Sequence, residues 1–106
     1  MDDNRQFSVT KEEIGETAVL LTVVGRIDAV NSAVFERRLD QALKAGRVDI
    51  TINMIGVRFL SSVGIRAVLN TFKKAKELGG TLRIVDPSEN VKNVLGMTAL
   101  DEMLQE

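Results

Sequence analysis

Hydrophobic positions repeat with two different periods along this chain, and the changes of period mark its elements. Thr17–Val24 is apolar and β-branched almost without a break, which predicts a central strand. Val48–Met54 alternates Val48, Ile50, Ile52 and Met54 with Asp49, Thr51 and Asn53, the pattern of a strand with one face better buried than the other. Thr81–Val85 is a further strand, and Phe7–Thr10 a short one at the front. The stretch EEIGETA between the first two reads as a turn bent at Gly15, and Gly25 is expected to end the second before the loop GRIDAVN. The helical period then takes over. Phe35, Leu39, Ala42 and Leu43 form one stripe, with a cap at Asn31 or Ser32, an end near Ala45 and a stop at Gly46; Glu36, Arg37, Arg38 and Gln41 face outward. Ile65, Val68, Leu69, Phe72 and Ala75 form a second stripe running to about Leu78, where Gly79-Gly80 ends it. DPSEN opens a third helix, with Ser88 as cap, Glu89 in the first turn, Val91, Val94 and Leu95 as its apolar face and Gly96 as its stop. Thr98-x-x-Asp101 has the spacing of a capping box for a short last helix carrying Leu100, Met103 and Leu104.

The order is β-β-α-β-α-β-α-α. Strands separated by helices of this length favour parallel crossovers, while the first two strands can pair as a hairpin. The expected fold is a single α/β domain over residues 1–106, a mixed β-sheet packed against about four helices.

Composition narrows the chemistry. The 106 residues carry 14 basic and 15 acidic side chains, a formal net charge of −1, which argues against nucleic acid as a partner and against a polybasic membrane anchor. There is no cysteine and no histidine, so thiol catalysis, thiolate zinc sites and a Ser-His-Asp triad are excluded within the chain. Trp and Tyr are absent, leaving no platform for stacking single-stranded bases. No phosphate-binding P-loop, dinucleotide fingerprint or G-x-S-x-G elbow occurs. Neither cofactor nor metal is expected, and the chain does not read as a self-contained enzyme. The acidic start MDDNRQFSV lacks the apolar core of a signal peptide, and the run Ala18–Val24 is too short to span a bilayer, so a soluble cytoplasmic protein without membrane insertion is expected.

What remains is VRFLSSVGIRAVL, with two serines at a strand-to-helix junction. Either can be the helix cap: if Ser61 caps, Ser62 is the first helical residue with its hydroxyl at the helix mouth; if Ser62 caps, Ser61 belongs to the loop. Capping explains one serine. It does not explain two, nor Gly64 in the first turn, where glycine lowers helix propensity and where a small residue would let another protein surface approach the serine.

FLSSVGIRAVLNTFKKAKELGGTLRIV resembles the signature of the STAS domain, the fold of bacterial anti-sigma factor antagonists. Phe59, Leu60, Ser61, Ser62, Val63, Gly64, Ile65, Val68 and Leu69 match its pattern of aromatic, apolar, Asp or Ser, Ser, small, Gly, Leu-x-x-Leu-Leu. TVVGRIDAVNSAVFERRL is similar to the family's loop ending in Asp and the helix after it, and DPSENVKNVLGMTALDEML to its C-terminal helices, so the resemblance covers essentially the whole chain. It implies a phosphorylation switch. An anti-sigma factor that is also a serine kinase of the GHKL type binds the unmodified domain and phosphorylates the serine before the small-Gly pair, here Ser62, with Ser61 as the alternative; a serine phosphatase resets it. Asp28 is implied to lie near that serine, although such a residue also suits a turn or a helix start. Partner-binding residues are expected at Asp28, Ser61, Ser62 and Gly64, and along the exposed helix at Arg66, Asn70 and Lys73. Two positions depart from the common pattern: Ser61 and Asn53 stand where many members carry Asp. Two other readings are open: a non-phosphorylated interaction subunit of a lipid transporter or signalling scaffold, in which the serine only caps, and a sensor of a nucleotide or other small ligand. The sigma factor and the oligomeric state are not legible.

Overall fold

The computed structural model describes residues 6–97 and 104–105. Its elements are β1 Ser8–Ile14, β2 Ala18–Ile27, α1 Asn31–Lys44, β3 Asp49–Leu60, α2 Ser62–Glu77, β4 Thr81–Val85, α3 Glu89–Met97 and β5 Leu104–Gln105. The five strands form one sheet in the order β1-β2-β3-β4-β5. β1 and β2 are an antiparallel hairpin, and every later pair is parallel. Parallel neighbours need a crossover, and α1 and α2 supply those after β2 and β3. The mixed α/β sheet is therefore the expected one. The last helix is corrected in part: residues 98–103 lie outside the described residues, and Leu104 sits in β5, opposite Ile84 of β4. Gly96 is not a stop, because α3 continues to Met97.

One face of the sheet carries the core. Val19, Leu21, Val23 and Ile27 of β2, Ile50, Ile52 and Met54 of β3, and Leu82 and Ile84 of β4 are buried there. Phe35, Leu39 and Leu43 of α1, Val68 and Ala75 of α2, and Val91 and Leu95 of α3 close over them. Each large side chain so buried contributes roughly 1.5–3 kcal/mol relative to leaving it exposed. The alternate residues of β2, such as Leu20, Thr22 and Val24, are only half-buried on the opposite face.

Three strands run longer than their periodicity predicts. β1 extends through Ile14, because its whole length pairs with β2 from Ser8↔Val24 to Ile14↔Ala18, and the turn contracts around Gly15. β2 passes through Gly25 rather than ending there. At that glycine the backbone of Phe7 lies so close that a Cβ would stand 2.9 Å from Phe7 Cα.

β3 is the most informative case. Thr22 pairs with Asn53 but Val24 with Gly56, and Gly25 pairs with Val57 but Arg26 with Phe59. Each step inserts one extra residue into β3, so the strand carries two bulges. Inward positions therefore go from Met54 to Val57 to Leu60 instead of every second residue. The alternation breaks after Met54, and the expected end at that residue follows from the break. The first bulge is closed by Asn53, whose Oδ1 accepts from Ile55 N at 3.0 Å while its Nδ2 donates to Asp86 Oδ2 at 3.4 Å. An aspartate at 53 has no N–H to offer Asp86, which gives this departure from the common family pattern a local reason.

Beyond Asn53 the strand outruns β4, and α3 covers that edge. Ser88 N donates to Met54 O (3.3 Å), Ser88 Oγ to Val57 O (2.7 Å) and Asn90 Nδ2 to Arg58 O (2.7 Å). Ser88 Oγ also accepts from Val91 N at 3.2 Å, so the expected cap of α3 doubles as a brace on β3.

Candidate functional site

β2 and β3 end side by side, with Ile27 opposite Leu60, and the next residue of each begins the site. Ser61 N donates to Ile27 O at 2.9 Å, tying the two loops together. Ser61 is the cap of α2. Its backbone is extended (φ −76°, ψ 167°), its Oγ accepts from Gly64 N at 3.1 Å, and its carbonyl accepts from Ile65 N at 2.9 Å. Ser62 is the first residue of the helix and is exposed. The geometry thus separates the serines: one hydroxyl is committed to the backbone, and the other belongs to an exposed residue at the helix mouth.

Gly64 is buried, which corrects its expected place on a partner surface. A Cβ there would stand 2.7 Å from Ile27 Cγ2 and 2.9 Å from Leu60 Cδ1. The missing side chain lets the first turn of α2 settle onto the strand ends; it does not clear space for an approaching protein. Gly64 supports the site from beneath.

Asp28 stands at the head of the adjoining loop. Its Oδ1 accepts from Val30 N (3.1 Å) and Asn31 N (2.9 Å), and its carbonyl accepts from Ser32 N (2.9 Å). The side chain of Asp28 therefore caps α1, and neither residue expected to do so takes that role. Asn31 is already helical and donates Nδ2 to Arg26 O at 3.0 Å, while Ser32 is buried and donates Oγ to Ala29 O at 3.1 Å. Asp28 follows Ile27, whose carbonyl accepts from Ser61 N, and one oxygen of its carboxylate is occupied by the helix it starts.

Along α2, Ser62, Arg66, Asn70 and Lys73 are all exposed and spaced by four, four and three residues, so they share one face. Asn70 and Lys73 reach an open groove of about 590 Å³ between α1 and α2, which Glu36, Arg37 and Asp40 line from the other side.

Sequence reasoning missed an apolar border. Val30 (78% exposed) and Val34 at the start of α1, Phe59 at the end of β3 and Val63 (47% exposed) in the first turn of α2 are all exposed. Arg26 lies over the Phe59 ring, 4.5 Å from its centroid, and covers part of it. The signal was present: Val30, Val34 and Val63 fall outside the helical stripes that predict the core. Among the described residues no helix is long and apolar enough to cross a membrane.

A family model described as the STAS domain matches residues 8–105. Among curated relatives, the anti-sigma-B factor antagonist of Bacillus subtilis is 26% identical over 89 residues, spanning 84% of this chain and 81% of the relative. The structure of the anti-sigma factor antagonist SpoIIAA in its unphosphorylated form is similar with a TM-score of 0.83 at 19% identity, covering 92% of this chain and 86% of that one. The Bacillus cell fate determinant SpoIIAA in its phosphorylated form is similar with a TM-score of 0.76 at 17% identity, covering 92% and 89%. At these identities the two structural likenesses speak for the fold.

Proposed function

The chain belongs to the STAS domain family, and from that premise we propose that it is an anti-sigma factor antagonist controlled by phosphorylation of Ser62. In this reading the unmodified protein binds an anti-sigma factor that is also a GHKL-type serine kinase, in the cytoplasm, and thereby frees a sigma factor. Transfer of one phosphate to Ser62 ends that binding, and a serine phosphatase restores it. The protein itself performs no catalysis; it is substrate and ligand.

The observation that carries the reading is the division of labour between the serines. Ser61 Oγ is held by Gly64 N, whereas Ser62 is exposed on the first turn of α2, where a kinase can reach it. The apolar border at Val30, Val34, Phe59 and Val63 supports a protein rather than a small ligand as the binding partner. A phosphate on Ser62 brings about −1.5 to −2 charges to the first turn of α2, next to Val63. An anion at a helix N-terminus is favourable for the helix itself, so the loss of binding falls on the interface, where a bulky charge has to be desolvated.

The test uses the cognate kinase with ATP and Mg²⁺ and reads intact mass. The expected result is one added phosphate on the wild type and on Ser61→Ala, none on Ser62→Ala, and partner binding only by the unmodified forms. Modification of Ser62→Ala together with loss of modification in Ser61→Ala would move the site to Ser61. A partner that binds while neither serine is ever modified would overturn the switch.

A further inference from the structure

The first charged side chain of α2 is Arg66, one helical turn beyond Ser62. Both are exposed, and residues four apart on a helix stand about 5–6 Å from each other at Cβ. Among the described residues the Arg66 guanidinium has neither a hydrogen bond nor an ion pair. The first turn of α2 holds no acidic residue for it to meet.

Backbone donors at the helix mouth are partly spent. Gly64 N is taken by Ser61 Oγ and Ile65 N by Ser61 O. The other charged groups around the serine are engaged as well: Asp28 Oδ1 accepts from Val30 N and Asn31 N, and Arg26 lies over Phe59. A phosphate on Ser62 therefore finds Arg66 as its available cation. An anion N-terminal to a cation at i, i+4 is also the favourable order on a helix, and a guanidinium can meet phosphate oxygens with two parallel N–H donors.

We propose that Arg66 clamps the phosphate of phospho-Ser62 in an intramolecular ion pair, so that the modification withdraws a cation from the exposed face of α2 while adding an anion to it. This deepens the proposed function and rests on Ser62 being the acceptor. In the unmodified protein Arg66 is free to meet an acidic group on the partner; in the modified protein it is held at home. The switch then acts on two side chains with one covalent event.

The test installs phosphoserine at position 62 of the full chain during synthesis, so no kinase enters it. Thermal unfolding of unmodified and phosphorylated protein is compared in the wild-type and Arg66→Gln backgrounds. In the phosphorylated form Arg66→Gln should lower Tm by about 2–4 °C more than in the unmodified form. Phosphorus NMR titration should give a second phosphate pKa about 0.3 higher in Arg66→Gln than in the wild type, with Arg66→Lys restoring part of both effects. Equal Tm losses in the two forms with superimposable titrations overturn the clamp. Finding no phosphate on Ser62 of the protein isolated from its host instead overturns the functional reading, while the measured coupling between phosphate and Arg66 stands on its own.

Discussion

At Ser61 the hydroxyl accepts from Gly64 N, so Ser61→Ala should cost about 1 kcal/mol, while Ser61→Asp, an equally good cap, should stay close to the wild type in urea unfolding. The position thus admits either residue of the family pattern on structural grounds. Gly64→Ala tests the neighbouring residue. Helix propensity favours alanine by about 1 kcal/mol, but the added methyl meets Ile27 and Leu60 and overpacking costs typically 1–3 kcal/mol, so a net loss of about 1 kcal/mol is expected. A rise in the urea midpoint would show that the strand ends yield more easily than their burial suggests. The local pattern of residues left the two serines interchangeable, because both are good caps one position apart. What separates them is where the helix starts: Ser61 keeps an extended backbone with its N–H on Ile27 O, a long-range bond, and its Oγ takes Gly64 N. Of the two meanings the sequence left open for Asp28, the structure shows the helix start, since its Oδ1 accepts from Val30 N and Asn31 N. Gly64 was legible as special but for the wrong side of the helix.

Among the elements, the helices and strands up to α3 were legible from their periods, and the boundaries were not. β1 took its length from its partner, and β3 lost its alternation to two bulges that only the pairing with β2 reveals. Arg38, expected to face outward, instead reaches back to donate to Val9 O at 3.0 Å. Arg47 shows the same long-range logic more strongly. It follows α1 yet donates to Gly15 O (2.7 Å) and pairs with Glu13 (3.2 Å), fastening the hairpin turn to the start of β3. Arg47→Met should destabilise by about 1–2 kcal/mol and speed amide exchange across β1 before the rest of the sheet. Ser88→Ala removes both a cap and a donor to Val57 O; a loss of about 2 kcal/mol is expected, with faster exchange in the second half of β3 than in its first. Uniform exchange across β3 would mean that α3 does not brace that segment.

For the molecule as a whole, a charge at position 62 should leave the architecture in place. Ser62→Glu puts an acid at the first position of α2, where the helix dipole favours it by about 0.3–1 kcal/mol. Far-UV circular dichroism should be unchanged and the urea midpoint unchanged or slightly higher; a fall with loss of helical signal would point to a switch that works by melting α2. The order of strands in the sheet bears on a different event, the making of the chain. Because neighbours in space are neighbours in sequence, each parallel strand emerging from the ribosome meets a partner that has already been translated. The sheet grows at one edge, and no strand has to wait for a later one. The exception is the half of β3 that leads to Ser61, whose outer edge takes bonds from Ser88 and Asn90 rather than from a strand. In a chain that ends before α3, the second half of β3 keeps its pairing with β2 but lacks the bonds from Ser88 and Asn90, so the strand that leads to the serines is held from one side alone.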